Sequence, residues 1–511
     1  MATQHKVFKN LYQDSVSLMQ VSSRLDKMDG IDGASVVMGT EANLARIADA
    51  GFGESISAKP SDLVIAVQGE AAACDAAMVA AEQALAEKPD DSGDGVPSAE
   101  PVRSFALALE QHPQANLALI SVPGEYAAAE AIKALNLGLN VMMFSDNVSI
   151  ADERIIKHLA QEKNLMVMGP DCGTAIINGI PLGFANVVRR GAIGVVAASG
   201  TGLQEATCRI HQLGEGVSQA LGTGGHDLHQ DVGGLSMLHG LQALADDPQT
   251  DVVVLISKPP AQAIADKILA QAASIAKPVV VNFLGQGSPA TAMDGVYFAD
   301  SLAHSAEVAV ALYRHQAEPA AQPCSQADSD TVSRLAAGLS DAQRYIRGVF
   351  AGGTFCYEAQ IIAAGYDVRA SSNTPSKGNR ELTDLWHSQG HTIVDLGDDA
   401  FTQGCPHPMI DPTLRNQRLL QEAQDPETAA VLFDLVLGYG AAEEPLTDLL
   451  TVIEQARQQS APPVFIAHVC GTDADPQSRQ QIQKALRDAG VQLADSNAHA
   501  AHLAASLVAG L

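Results

Sequence analysis

Basic residues are scarce in this chain. Lys and Arg number 31 against 59 Asp and Glu in 511 residues, a formal net charge of -28. So acidic a surface repels phosphodiester backbones and anionic lipid, so neither nucleic acid nor a membrane is an expected partner. Small anionic substrates stay open, because a few local donors act within a Debye length of about 8–10 Å. Aromatic residues make up 4 %, with one tryptophan, Trp386, which argues against a β-sandwich core. The seven cysteines (74, 172, 208, 324, 356, 405 and 470) are odd in number and form no CxxC pair. A disulfide framework and a zinc ribbon both fail on that spacing, and no metal site is expected. GxxxxGK[ST], HExxH and GxSxG are missing too, which excludes P-loop nucleotide binding, a zincin centre and a nucleophile elbow. No apolar run reaches the roughly 18 residues of a membrane span. Met1–Lys9 holds no secretory core, so the reducing cytoplasm is the expected compartment.

What is present suits helices packed on parallel sheets. Hydrophobic residues are 46 % of the chain, mostly Ala, Val, Leu and Ile, enough for about three domains of ordinary size. Residues 1–88 alternate strand and helix in the manner of a small α+β domain, and the Pro-, Gly- and Asp-rich stretch 89–101 reads as a linker. Residues 102–190 form a first βα unit, 191–316 a second and 336–511 a third, with 317–335 as another linker. The last two units echo each other. Both open on a strand, a small-residue turn and a helix, VVAASGTGLQEA and GVFAGGTFCYEA; later LADDPQTDVVVLI parallels AQDPETAAVLFDL. An internal duplication of a doubly wound α/β unit is the economical reading; two unrelated folds with common turn chemistry is the other.

The turn Ser199, Gly200, Thr201, Gly202 lies at a strand-to-helix junction. Free N–H groups, the positive end of the helix dipole and two hydroxyls make such a turn an anion site; a tight turn capped by Ser or Thr is the plainer alternative. Gly352, Gly353 and Thr354 repeat the device, so one phosphate-binding site shared between the two units is expected. Asp171, Cys172, Gly173 and Thr174 follow another strand, where α/β folds place ligands; Cys172 is either a nucleophile or a lining residue. Gly222, Gly224 and Gly225 form a glycine-dense strand end before His226 and Asp227. His407 and Asp411 sit in a proline-stiffened loop. Each of these two segments is either substrate-lining or an ordinary connection.

The run GPDCGTAIINGIPLGFANVVRRGAIGVVAASGTGLQEA resembles the α subunit of succinyl-CoA synthetase, and residues 347–511 resemble the carboxyl-terminal domain of that enzyme's β subunit. With SVSLM, SDNVS, GTAIING, ISKPP and HPMIDP, nearly the whole chain is similar to the FdrA family. The resemblance implies an α/β fold: the small amino-terminal α+β domain, a Rossmann-like CoA-binding-type unit over 102–190, and two flavodoxin-like domains of the succinyl-CoA synthetase type. It also implies departures. That enzyme works through a phosphohistidine after the KPVV strand, where this chain reads GQGSPATAMDGVYFAD. Its strand-end glutamate is replaced by Lys258, and the amino-terminal CoA-binding half looks truncated, with no ATP-grasp domain. A phosphohistidine relay is therefore not expected, and CoA binding is in doubt; no other cofactor is implied.

FdrA/AllF-type proteins resemble a subunit of oxamate carbamoyltransferase, which converts oxalurate and phosphate into oxamate and carbamoyl phosphate in anaerobic allantoin and purine breakdown. The resemblance then implies phosphate or carbamoyl phosphate as substrate and two partner subunits; within this chain the strand-end motifs make Lys258, Asp171 and Cys172 the candidate catalytic residues. An acyl-CoA synthetase subunit is the alternative activity, and a non-catalytic scaffold of the complex the alternative without one.

Overall fold

The computed structural model describes residues 2–11, 13, 15–52, 56–86, 102–287, 292–321, 325–402 and 406–511. The proposed linker at 89–101 lies outside the described residues. Four sheets organise the rest. In the amino-terminal domain, Leu63–Gly69 lies between Ala2–Phe8 and Ile31–Met38, antiparallel to both. The strands Leu117–Ile120, Asn140–Met143 and Val167–Met168 form a small parallel sheet in that order.

The two larger sheets carry one design twice. In the first, the parallel order is Val296–Phe298, Val279–Phe283, Val252–Ser257, Arg190–Ala197, Val217–Gly222. In the second it is Gln492–Ala494, Val464–Cys470, Thr428–Val436, Tyr345–Phe350, Thr392–Asp395, continued at that edge by the two-residue strands Ser371–Ser372 and Arg380–Glu381. With those two short strands set aside and the five others numbered along the chain, each reads 5-4-3-1-2, the flavodoxin-like order. The central strands are buried on both faces, as their unbroken Val, Ile, Leu and Phe runs require.

Two boundaries need correction. The hairpin Thr174–Ile177 and Ile180–Gly183 extends the first large sheet through Val217–Gly222, so a cut at residue 190 divides a sheet. Within 317–335, read as a linker, Gln326–Ala336 is a helix with a Ser325–Asp328 capping box.

In each large domain the first strand leads into a 13-residue helix, Gly200–Gln212 or Gly353–Gly365. These lead helices pack against each other and against the last helix of each domain, Leu302–Tyr313 and Asn497–Ala509. One apolar core runs through all four, from Leu203, Ala206 and Ile210 to Phe355, Ala359, Ala363, Ala501 and Ala505. The alanines let the helix backbones approach closely. The interface between the domains is thus core, not surface, and the two lead helices begin side by side at the carboxyl ends of both sheets.

A cleft between two helix starts

Ser199 is the N-cap of the first lead helix, extended at φ -165°, ψ 122°. Its Oγ accepts from Gly202 N at 2.9 Å and lies 2.5 Å from Thr354 Oγ1 of the second lead helix. The converse contact is also close, since a Cβ on Gly352 would stand 3.1 Å from Thr201 Cγ2. Gly202 has a packing reason, because a Cβ there would sit 2.7 Å from Ser199 Oγ. Among the described residues nothing accepts from the N–H groups of Gly200, Thr201, Gly353 and Thr354. Orphan donors and two positive dipole ends therefore converge.

Lys258 follows the strand Val252–Ser257, is exposed, and carries its ammonium 5.4 Å from the ring centre of Tyr357. Two carboxyls feel its charge, Asp395 and Asp171. Asp434 accepts from Ala351 N at 2.7 Å and Gly352 N at 2.8 Å, so part of the second helix start is already neutralised. Asp395 accepts from Gly397 N at 2.9 Å, and its Oδ2 would lie 2.5 Å from a Cβ on Gly353. Burial pushes the Asp395 carboxyl up to about 7, with Lys258 opposing. Asp171 (φ 56°) presents surface to solvent while protein crowds it from most directions. That crowding, with Asp146, Asp399 and Glu153 nearby, raises it to about 7 against the pull of Lys258.

Several expected site residues have other work. Cys172 is buried, donates to Thr174 O at 3.5 Å and is pushed up to about 12 by burial, so it is a packed thiol and not a nucleophile. Gly222 and Gly224 are buried. A Cβ on Gly222 would stand 2.7 Å from Cys172 Sγ, and one on Gly224 would collide with Pro170 O. These two glycines admit the 169–174 turn and do not line a substrate. Gly225 is exposed, with Asp171 Oδ2 at 3.9 Å from its Cβ position. Gly173 O accepts from Phe184 N, and Thr174 Oγ1 donates to Phe184 O at 2.7 Å, beside Gly200.

His407 presses on the Asp395–Gly397 turn; a Cβ on Gly397 would sit 2.6 Å from its Nε2. Burial lowers it to about 4, and its Nδ1 accepts from Met409 N, so it is a neutral ring 6.4 Å from Phe184. Asp411 does not line the cleft. It is buried, accepts from Ser23 Oγ and from Thr413 N, and lies 3.5 Å from Lys27 Nζ. It is the point on which the amino-terminal domain docks.

The sequence reading missed Asp395, Asp434 and Tyr357. The signal available was Asp395-Leu-Gly-Asp-Asp399, a strand end rich in Gly and Asp. It also missed a buried pair beneath the cleft: Glu205 of the first lead helix meets His468 Nε2 at 2.7 Å. Burial alone would favour both neutral forms, but each partner's charge holds the other ionised, lowering Glu205 and raising His468 to about 10. Cys470 lies within 4.8 Å of both donors; the short Nε2–Oε2 distance is that of an ion-paired hydrogen bond, not of two ligands across a metal.

The resemblance puts CoA on the 102–190 unit. Glu125, Asp146, Glu153 and Asp171 surround the carboxyl ends of its strands, and the buried Lys157 is committed to Glu153 and Asp227 at 2.7 and 2.8 Å. An edge so acidic does not fit a polyphosphate.

Paired flavodoxin-like domains joined at their lead helices, with an anion-suited cleft between the helix starts, make a fold of the succinyl-CoA synthetase and acyl-CoA ligase type. The comparisons agree. Residues 349–507 match the CoA-ligase model, 189–285 the CoA binding domain model, and 1–101 the model described as AllF, heavy metal-associated domain. The CoA-binding match falls one unit later than the resemblance placed it. In residues 1–101 the one cysteine is Cys74, buried, its thiol donating to Ala2 O. The uncharacterized protein YahF of Escherichia coli K12 is 43 % identical over 506 residues, covering 98 % of this chain and 97 % of that one. The chain belongs to the FdrA/AllF-type family.

The succinate–CoA ligase α subunit of Aquifex aeolicus is 30 % identical over 150 residues, 28 % of this chain and 48 % of that subunit. The chain thus spans about half the length of that ligase subunit. The solved ATP citrate lyase of Methanothrix soehngenii, with citrate and coenzyme A, aligns over 80 % of this chain and 84 % of its own at 13 % identity and TM-score 0.35. No helix among the described residues is long and apolar enough to cross a membrane.

Proposed function

We propose that this chain is a subunit of an acyl-CoA-synthetase-like group-transfer enzyme and holds a phosphorylated acid between its two lead-helix starts. The observation that carries this is the Ser199–Thr354 contact, which brings two sets of unpaired N–H donors together beside the exposed Lys258. Such donors, fixed in advance in a crowded cleft, stabilise charge on a transferring phosphoryl or acyl oxygen without reorganising. Residues 284–300 contain no histidine, so the anhydride itself, not a phosphoenzyme of that loop, is the species held. The acidic edge of the 102–190 unit turns a thiol acceptor away from that unit, which leaves the 189–285 unit matched by the CoA binding domain model, or a partner subunit, to hold it.

A second reading is favoured by the match of residues 1–101 to the AllF model. Carbamoyl phosphate is also a mixed anhydride of phosphoric acid, and it suits the same donors. In this reading the chain works with two partner subunits, exchanging oxalurate and phosphate for oxamate and carbamoyl phosphate.

The test uses the full chain alone and then with its co-expressed neighbours. One arm supplies acyl phosphate with CoA and detects thioester; the other supplies oxalurate with phosphate and detects carbamoyl phosphate. Thioester formation, or CoA raising the melting temperature of the complex, upholds the ligase reading; carbamoyl phosphate alone upholds the second. In either arm Ser199→Ala is expected to cut activity by at least about tenfold. Product formation indifferent to both Ser199→Ala and Lys258→Ala would leave the chain a scaffold.

A further inference from the structure

We propose that an anion entering the cleft between the lead helices brings a proton with it, taken up by Asp395. The proposal rests on the reading of this cleft as an anion site and adds how its occupancy is controlled. Asp395 closes the strand Thr392–Asp395 and is 6 % exposed. Gly397 N donates to its Oδ1, while among the described residues nothing donates to Oδ2. That oxygen is aimed at the second helix start, against Gly353. An anion on the N–H groups of Gly353 and Thr354 therefore meets a carboxyl oxygen at close range. Ionised, Asp395 repels it; protonated, Asp395 donates a hydrogen bond to it. Two acids sharing so small a space hold one proton between them.

The groups facing Asp395 do not remove this need. Lys258, from the neighbouring domain, favours the ionised form, while Asp398 on the next turn and Asp434 on the adjacent strand favour the protonated one. His407 is neutral, and Cys356 on the second lead helix is a buried thiol whose proton burial holds in place. Because burial brings Asp395 to about 7, the proton is available near neutrality. The sign follows. Below that value Asp395 is already protonated and affinity is flat; above it, affinity falls by up to about tenfold per pH unit.

Sulfate is the probe, because it stays fully ionised across the range. Calorimetry on the full chain at about pH 6 and about pH 8.5, in two buffers of different ionisation enthalpy, reads both affinity and proton uptake. The expected result is binding at least about tenfold weaker at the higher pH, with uptake approaching one proton per sulfate there. Asp395→Asn is expected to bind equally at both pH values with no proton exchange. Equal wild-type affinity without uptake overturns the proposal. So does a pH dependence that survives Asp395→Asn, which would assign the proton to Asp171. If that variant does not fold, Asp171→Asn decides: a pH dependence and proton uptake kept in it uphold the proposal, and their loss overturns it. No sulfate binding at either pH, with Ser199→Ala no different, overturns the anion reading itself.

Discussion

The two lead helices match in length, in their place after the first strand, and in a glutamate at equivalent positions, Glu205 and Glu358. They differ in what answers their first N–H groups. The first is capped by its own Ser199 and leaves Gly200 and Thr201 free. The second has a glycine at the cap position, with no side-chain bond from it, and borrows Asp434 from a neighbouring strand. The glutamates differ likewise. Each reaches the first residue of the other domain's last helix, Glu205 to Asn497 N and Glu358 to Leu302 N. Yet Glu205 has His468 as counter-ion, whereas Glu358, bonded to Asn497 Nδ2, is pushed up to about 7 by burial. Both copies leave the first two helix N–H groups free, but only the second has the two N–H groups just before its helix tied to a carboxylate from the scaffold.

The largest way to break this comparison is at the glutamates. Glu205→Gln leaves His468 buried without its counter-ion and is expected to cost about 3–5 kcal/mol in urea unfolding. Glu358→Gln keeps an acceptor of the same shape and is expected to cost about 1 kcal/mol. Equal costs would mean the two sides are not distinguished by charge. Next is Asp434→Ala, which removes the acceptor of two buried N–H groups; a loss of about 1.5–3 kcal/mol is expected by the same measurement. Ser199→Ala sits at the small end for stability, about 0.5–2 kcal/mol. Its sharper readout is sulfate affinity, expected to drop while that of Asp434→Ala does not, since Asp434 occupies donors and Ser199 supplies one.

Much of the architecture could be read from residue order. The repeated strand–turn–helix openings and the paired Asp-Pro-Gln/Glu-Thr runs anticipated two equivalent domains, and the strand orders agree. Ser199 and Thr354 were legible as helix-start residues because a hydroxyl between small residues after an apolar strand has few other uses. The duplication anticipated that the two starts share a site, but not the direct hydroxyl contact between residues 155 positions apart. Gly222 and Gly224 show the limit of a local pattern: a glycine needed for a ligand and one needed for a crossing chain look alike until the neighbour is known.

What the sequence alone determined is what depends on local periodicity and local chemistry: parallel α/β layers, helix starts able to hold anions, the lack of a phosphohistidine after the KPVVV strand, and family membership. Tertiary structure decided everything that depends on which distant groups become neighbours. It put Asp395 and Lys258 at one helix start, sealed Cys172 away, turned Asp411 into a docking point and paired Glu205 with His468. Charge interactions act over a few ångströms of space, and sequence separation says nothing about such distances.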